Sequence, residues 1–189
     1  MEQIQQGPLQ MSEDQFLAWA EAQEGRFELV EGDVMPRAGA TRDHERVVKR
    51  IFALLYSQLD ESLYDVNKGG FGVSIRLGSG KDTILYPDAV VDRQSGSGDE
   101  QSTTQPIVVI EVLSRSMDYD HHVRKLESYK KLDTLAQYVV FDQKEPRVFV
   151  WAKTAAGWPG EPQTIEGIGG ALPLPSVGTT ISLAEIYRS

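Results

Sequence analysis

Two short apolar runs each carry one acid. Leu85-Tyr86-Pro87-Asp88-Ala89-Val90-Val91 and Pro106-Ile107-Val108-Val109-Ile110-Glu111-Val112-Leu113-Ser114 are rich in β-branched residues and bounded by polar stretches, so they read as buried strands. A carboxylate in such a setting is costly unless something cationic sits beside it. Two acids on neighbouring strands also repel each other unless a divalent cation, a lysine or a shared proton holds them together. A hard metal ion is the simplest answer, because carboxylate oxygen is the ligand such ions take. A buried structural ion pair would use the same acids with a lysine and no metal.

The surrounding pattern supplies the elements that must position these acids. Ser12-Glu13-Asp14-Gln15 has the form of a capping box, and Phe16, Leu17 and Ala20 follow at helical spacing, which predicts a first helix over 13–23. Residues 26–35 read as two short strands around a turn at Gly32, with Phe27 and Leu29 on one face and Glu28 and Val30 on the other. Alternation alone does not say which face is buried. From Thr41 the period becomes helical: Val47, Val48, Ile51, Phe52, Leu54, Leu55 and Leu59 form a stripe on a long helix ending within 59–63. His44 lies one turn before Val47 and Val48 on that stripe, so its imidazole should point inward, as a site group or as a satisfied core residue.

Residues 71–77 alternate and turn through 78–82 into the Asp88 strand, which predicts an antiparallel meander. The tract over 93–105 is too polar to pack and reads as a surface loop. After Glu111 comes a helix with Val123, Leu126, Tyr129 and Leu132 on its apolar face, with Asp118 or Asp120 as its cap. Lys125, one turn before Tyr129, sits beside that face. Residues 137–142 and 147–151 read as a hairpin, followed by short strands holding Trp158, Leu172, Leu174 and Ile181 and a last turn over 183–187. The whole is an α/β domain over 1–189 with a central mixed sheet flanked by helices, preceded by a helix and hairpin, with 1–11 as a loose arm.

Composition limits the chemistry. The absence of cysteine excludes disulfides, thiolate metal sites and a cysteine nucleophile. With no basic-then-apolar start and no apolar run of spanning length, the expectation is a soluble cytoplasmic protein without membrane association. A net charge of −9 argues against broad attraction to nucleic acid, although Arg42, Arg46, Lys49 and Arg50 gather on the first turns of the long helix as a local basic face. A GxSxG elbow, a phosphate-cradling glycine loop, HExxH and zinc-finger spacings are all absent.

At Pro87-Asp88, Glu111-Val112-Leu113 and Lys125 the chain resembles a large bacterial family labelled "putative restriction endonuclease", built on the PD-(D/E)XK nuclease fold. The resemblance extends through Phe27 to Asp33, His44, Val109 to Ser116, Asp120, Tyr129, Gln137 to Asp142 and Ser182 to Ile186. It implies a restriction endonuclease-like fold and a magnesium- or manganese-dependent endodeoxyribonuclease. Leu113 stands where that motif ordinarily has its lysine, and the resemblance implies that Lys125 takes over the role. The implied metal ligands are Asp88, Glu111 and the Val112 carbonyl, with Glu28 and His44 in support. The implied DNA contacts are Arg42, Arg46, Lys49, Arg50 and Arg115, and the implied assembly is a homodimer. A nuclease-derived module that binds nucleic acid or protein without cutting is the alternative.

Overall fold

A computed structural model describes residues 9–37, 39–76, 81–94, 98–113 and 119–188, with the backbone alone at 119–121. The first helix, α1 (Glu13–Ala20), opens on the expected capping box, Ser12 accepting from the Gln15 backbone while the Gln15 side chain accepts from Ser12. It ends three residues before the position expected. A hairpin follows, β1 (Phe27–Val30) and β2 (Asp33–Pro36), turned by Glu31 at φ 51° and Gly32 at φ 87°, the left-handed pair that a two-residue hairpin loop requires. Residues 9–11, expected as part of a loose arm, are instead tied to this hairpin: Val34 N–H donates to the Leu9 carbonyl and Met11 N–H to that of Gly32. Residues 1–8 of that arm lie outside the described residues.

The long helix is α2 (Arg42–Gln58), capped by the Thr41 hydroxyl, which accepts from His44 N–H. Beyond it run β3 (Tyr64–Lys68), β4 (Gly72–Ile75), β5 (Thr83–Leu85), β6 (Ala89–Arg93), β7 (Ser102–Thr103) and β8 (Pro106–Val112). Next come α3 (Tyr119–Tyr129), β9 (Gln137–Phe141), β10 (Arg147–Ala152), β11 (Gln163–Glu166), β12 (Ala171–Leu174), β13 (Thr179–Ser182) and α4 (Leu183–Ile186). The polar tract over 93–105 is not wholly a loop, because β7 pairs parallel with β4. β3 was not expected at all, and Trp158 packs against the core from outside any strand.

Six strands in the order β11-β10-β9-β8-β6-β3 make the central sheet, mixed because β8 and β9 are parallel while its other pairs are antiparallel. β8, α3 and β9 thus form the one crossover unit that two parallel neighbours need. A second sheet, β2-β1-β5-β4-β7, joins the predicted hairpin to β4 and β5; the run expected as one strand over 85–91 is broken at 86–88, its start ending β5 in this sheet and its remainder opening β6 in the central one. The alternation along β8 decides what each face meets. Val108, Ile110 and Val112 pack with Val47, Ile51 and Leu55 of α2 and with the C-terminal Leu172, Leu183 and Ile186. Val109 faces the other way, into a layer built from Leu126 and Tyr129 of α3, Val73 and Leu85 of the second sheet, and Tyr138 and Val140. Glu111 has the parity of Val109 and therefore enters this second layer. Among the described residues no helix is long and apolar enough to cross a membrane.

Candidate active site

β6 and β8 run antiparallel with Ala89 opposite Ile110 and Val90 opposite Val109, so Asp88 and Glu111 each lie one step beyond a paired position at the same end of the ladder. Asp88 is fixed there by two donors. The Val112 N–H reaches its Oδ2 at 2.8 Å and His44 Nε2 reaches the same oxygen at 3.1 Å. His44 does point inward, as its place on the stripe predicts: it is 5% exposed, and its Nδ1 is buried with no hydrogen-bond partner. Its pKa is raised, because although burial disfavours the imidazolium, the bond to Asp88 and that carboxylate's charge outweigh it.

Lys125 comes from the face of α3 that carries Leu126 and Tyr129, and its ammonium lies between two acids. Nζ donates to Glu28 Oε1 at 2.9 Å and to Glu111 Oε1 at 3.1 Å, with all three residues nearly inaccessible. Tyr129, one turn on, brings its hydroxyl to 3.5 Å from the same Glu111 oxygen. Burial pushes the Glu111 carboxyl up to about 7, with Asp88 and Glu28 adding to the shift and Lys125 opposing it. Lys125 moves upward too: burial opposes its charge, and the Glu111 and Glu28 carboxylates more than offset that. The two directions agree if Lys125 keeps its proton and Glu111 is the group that titrates near neutrality.

Both faces of β1 are covered: Leu29 is fully buried in the small cluster under α1, and Glu28, at 5% exposure, lies on the opposite face with Val30, towards the layer that holds Glu111. Glu28 Oε1 also accepts from Tyr86 N–H at 3.1 Å and is ion-paired with Arg37, whose Nε lies 3.2 Å away. Arg37 is a member of this network that sequence reasoning missed. Its guanidinium further donates to the carbonyls of Tyr86 and Gly69 and lies over the Tyr86 ring, 5.3 Å from its centre. Nothing local marks it, since its partners stand 9, 32 and 49 residues away along the chain.

Other expected positions fare differently. Val112 is tied to the site by its N–H, which donates to Asp88 Oδ2. Among the basic residues, Arg42 and Lys49 are exposed, Arg46 pairs with Asp43 at 2.9 Å, and Arg50 donates to the carbonyls of Ile186 and Arg188, holding α2 to the C-terminal segment. Arg115, Asp118 and Ser114 lie outside the described residues, as does the side chain of Asp120.

The donor set suits a hard cation of low protein coordination. Among the described residues no three His, Asp or Glu side chains cluster closely enough to cage a metal ion. The described hydrogen bonds to Asp88 fall on Oδ2 and those to Glu111 on Oε1. Two carboxylates with water completing the shell is the arrangement magnesium usually accepts.

Residues 13–184 match the family Uma2, described as "Putative restriction endonuclease". The chain belongs to this family. Relatives of like length are found in Synechocystis sp.: "Uncharacterized protein slr1290" is 25% identical over 186 residues, spanning 94% of this chain and 92% of that one. "Uncharacterized protein sll1609" is 25% identical over 122 residues, or 62% of this chain and 67% of the relative. Among solved structures, a "putative nuclease belonging to DUF820" from Anabaena variabilis superposes with a TM-score of 0.73 at 15% identity, covering 94% of this chain and 97% of that one. The α/β fold expected from the sequence is therefore the one this Uma2 chain adopts.

Proposed function

We propose that the chain is a metal-dependent endonuclease that hydrolyses phosphodiester bonds in DNA, with Asp88 and Glu111 holding magnesium or manganese and Lys125 as the third catalytic group. The observation that carries this reading is the convergence, at one end of the β6–β8 ladder, of two acids and one amine from three different elements. Phosphodiester hydrolysis needs a positioned water, neutralised phosphate charge and help for the leaving oxygen. A bound divalent ion supplies polarisation of the phosphate and a more acidic attacking water.

The protein's own groups supply position and charge. An ammonium has three donors, and Lys125 spends two on Glu28 and Glu111, so one remains for the attacking water or a phosphate oxygen. Its raised pKa makes it an electrostatic anchor and not a proton acceptor. His44 holds Asp88 in place through Nε2, and with Nδ1 buried it acts on the carboxylate and not on substrate. Glu28, pinned by Arg37, holds Lys125. The exposed Arg42 and Lys49 are the basic side chains on α2 free to meet a phosphate backbone, and a homodimer would present two such sites to the two strands.

Nicking of supercoiled plasmid tests this directly. Cleavage requiring Mg²⁺ or Mn²⁺ and lost in Asp88→Ala and Glu111→Ala supports the assignment, whereas equal cleavage in both variants rules out the site. One observation favours a binding module without activity: Lys125, the group that would meet the attacking water, is already held by Glu28 and Glu111. Binding of duplex DNA by the wild type with no cleavage in either metal would select that alternative.

A further inference from the structure

Four residues along from Asp88, at the far end of β6, a second acid is buried without a counter-charge. Asp92 is 7% exposed, and its Oδ1 is buried with no hydrogen-bond partner. Directly across the β3–β6 ladder stands Asp65, so two carboxylates face each other where like charges are unfavourable. The β6–β8 register shifts between Val91 and Asp92, with Ile107 of β8 as the extra residue, and the residue opposite Asp92 is Pro106, which has no N–H to offer. The groups that act on Asp92 are burial, the Thr103 side chain, Asp65 and its own backbone; no lysine or arginine figures among them.

Asp92 lines a cleft of about 480 Å³ between the edge of the central sheet and β7 of the second sheet. Asp65, Asn67, Glu100, Thr103 and Gln105 are also on its walls, a set rich in oxygen. A buried, unsatisfied carboxylate oxygen beside a second carboxylate calls for positive charge, and no basic side chain among the described residues acts on it. We propose that this cleft binds a hard divalent cation, calcium before magnesium, with the carboxylates of Asp65 and Asp92 as charged ligands and uncharged oxygens of Asn67, Thr103 and Gln105 completing the shell. Calcium is favoured because it accepts six to eight oxygens in flexible geometry, while magnesium demands a small, near-ideal octahedron. The ion would tie β7 to β3 and β6 and so clamp the two sheets together. At about 3.3 Å per residue along a strand, Asp92 is some 13 Å from Asp88, so this site is separate from the catalytic end and independent of the nuclease reading.

Full-length protein stripped with EDTA and titrated with CaCl₂, followed by calorimetry and thermal unfolding, tests the site. The expected result is a calcium-dependent rise in Tm in wild type that persists in Asp88→Asn, with calcium affinity at the cleft about ten-fold or more weaker in Asp92→Asn and Asp65→Asn. No rise in wild type, an unchanged affinity in both cleft variants, or loss of the response in Asp88→Asn overturns it. Should Asp92→Asn fail to fold, Asp65→Asn decides alone.

Discussion

Lys125 balances two buried carboxylates, and removing it exposes how much charge that corner holds. Lys125→Met leaves Glu28 and Glu111 without their shared cation and should cost about 3 kcal/mol of stability, the usual scale for breaking a buried pair. The cost depends on pH. Because Glu111 gives up its proton only as pH rises through about 7, the denaturant midpoint of the variant should fall furthest below wild type at about pH 8 and recover towards it at about pH 5, where Glu111 is neutral. Arg37 works one step further out, as a positioning residue. Arg37→Ala releases Glu28 and should lower kcat about ten-fold with little change in KM, and Arg37→Lys should restore only part, since an ammonium cannot reach all of the guanidinium's acceptors. A purely structural role would shift the unfolding midpoint and leave kcat of the folded protein untouched.

The elements show what could be seen from sequence. The Glu111 strand, the stripe of α2 and the face of α3 were legible because each is a local pattern with a clear period, whereas the run expected as one strand through Asp88 breaks before Ala89, and the grouping of His44 and Lys125 with the two acids came from the family resemblance. The bond from Lys125 to Glu28 spans 97 residues and depends on β1 joining the second sheet, which no local pattern encodes. β3 escaped notice because it is a half-buried edge strand whose Asp65 and Asn67 face a polar cleft instead of a core. β7 escaped because two residues carry no period. Gly72 marks the same long-range packing: a Cβ there would lie 2.9 Å from Ile84 Cγ2 and 3.3 Å from Ser102 Cβ, between β5 and β7. Gly72→Ala should therefore cost about 1–3 kcal/mol, read as a lower midpoint in urea. Thr41→Ala, which removes the cap that holds the first turn of α2 beneath His44, should cost about 1 kcal/mol in the same measurement.

At the scale of the whole molecule, acidity and fold are in tension. The net charge of −9 includes buried carboxylates that folding must accommodate, and Asp92, pushed up to about 6 mainly by burial, is one that the network around Lys125 does not explain. Its folded pKa lies above the ordinary value of an unfolded aspartate, so the folded state holds the extra proton between about pH 4 and 6. Stability from this group is complete below that window and is lost as pH rises through it. In EDTA, Tm should thus decline across the window in wild type and more shallowly in Asp92→Asn. The same acidity confines nucleic-acid contact to a local basic face, so affinity for duplex DNA should drop steeply with added salt. All of this is secondary to whether the corner formed by Asp88, Glu111 and Lys125 cuts DNA. The most direct measurement is the single-turnover cleavage rate of a labelled duplex in Mn²⁺, wild type beside Lys125→Met, with folding of both checked by circular dichroism. We predict cleavage by the wild type and a loss of about a hundred-fold or more in the folded variant; equal rates in the two would contradict the assignment.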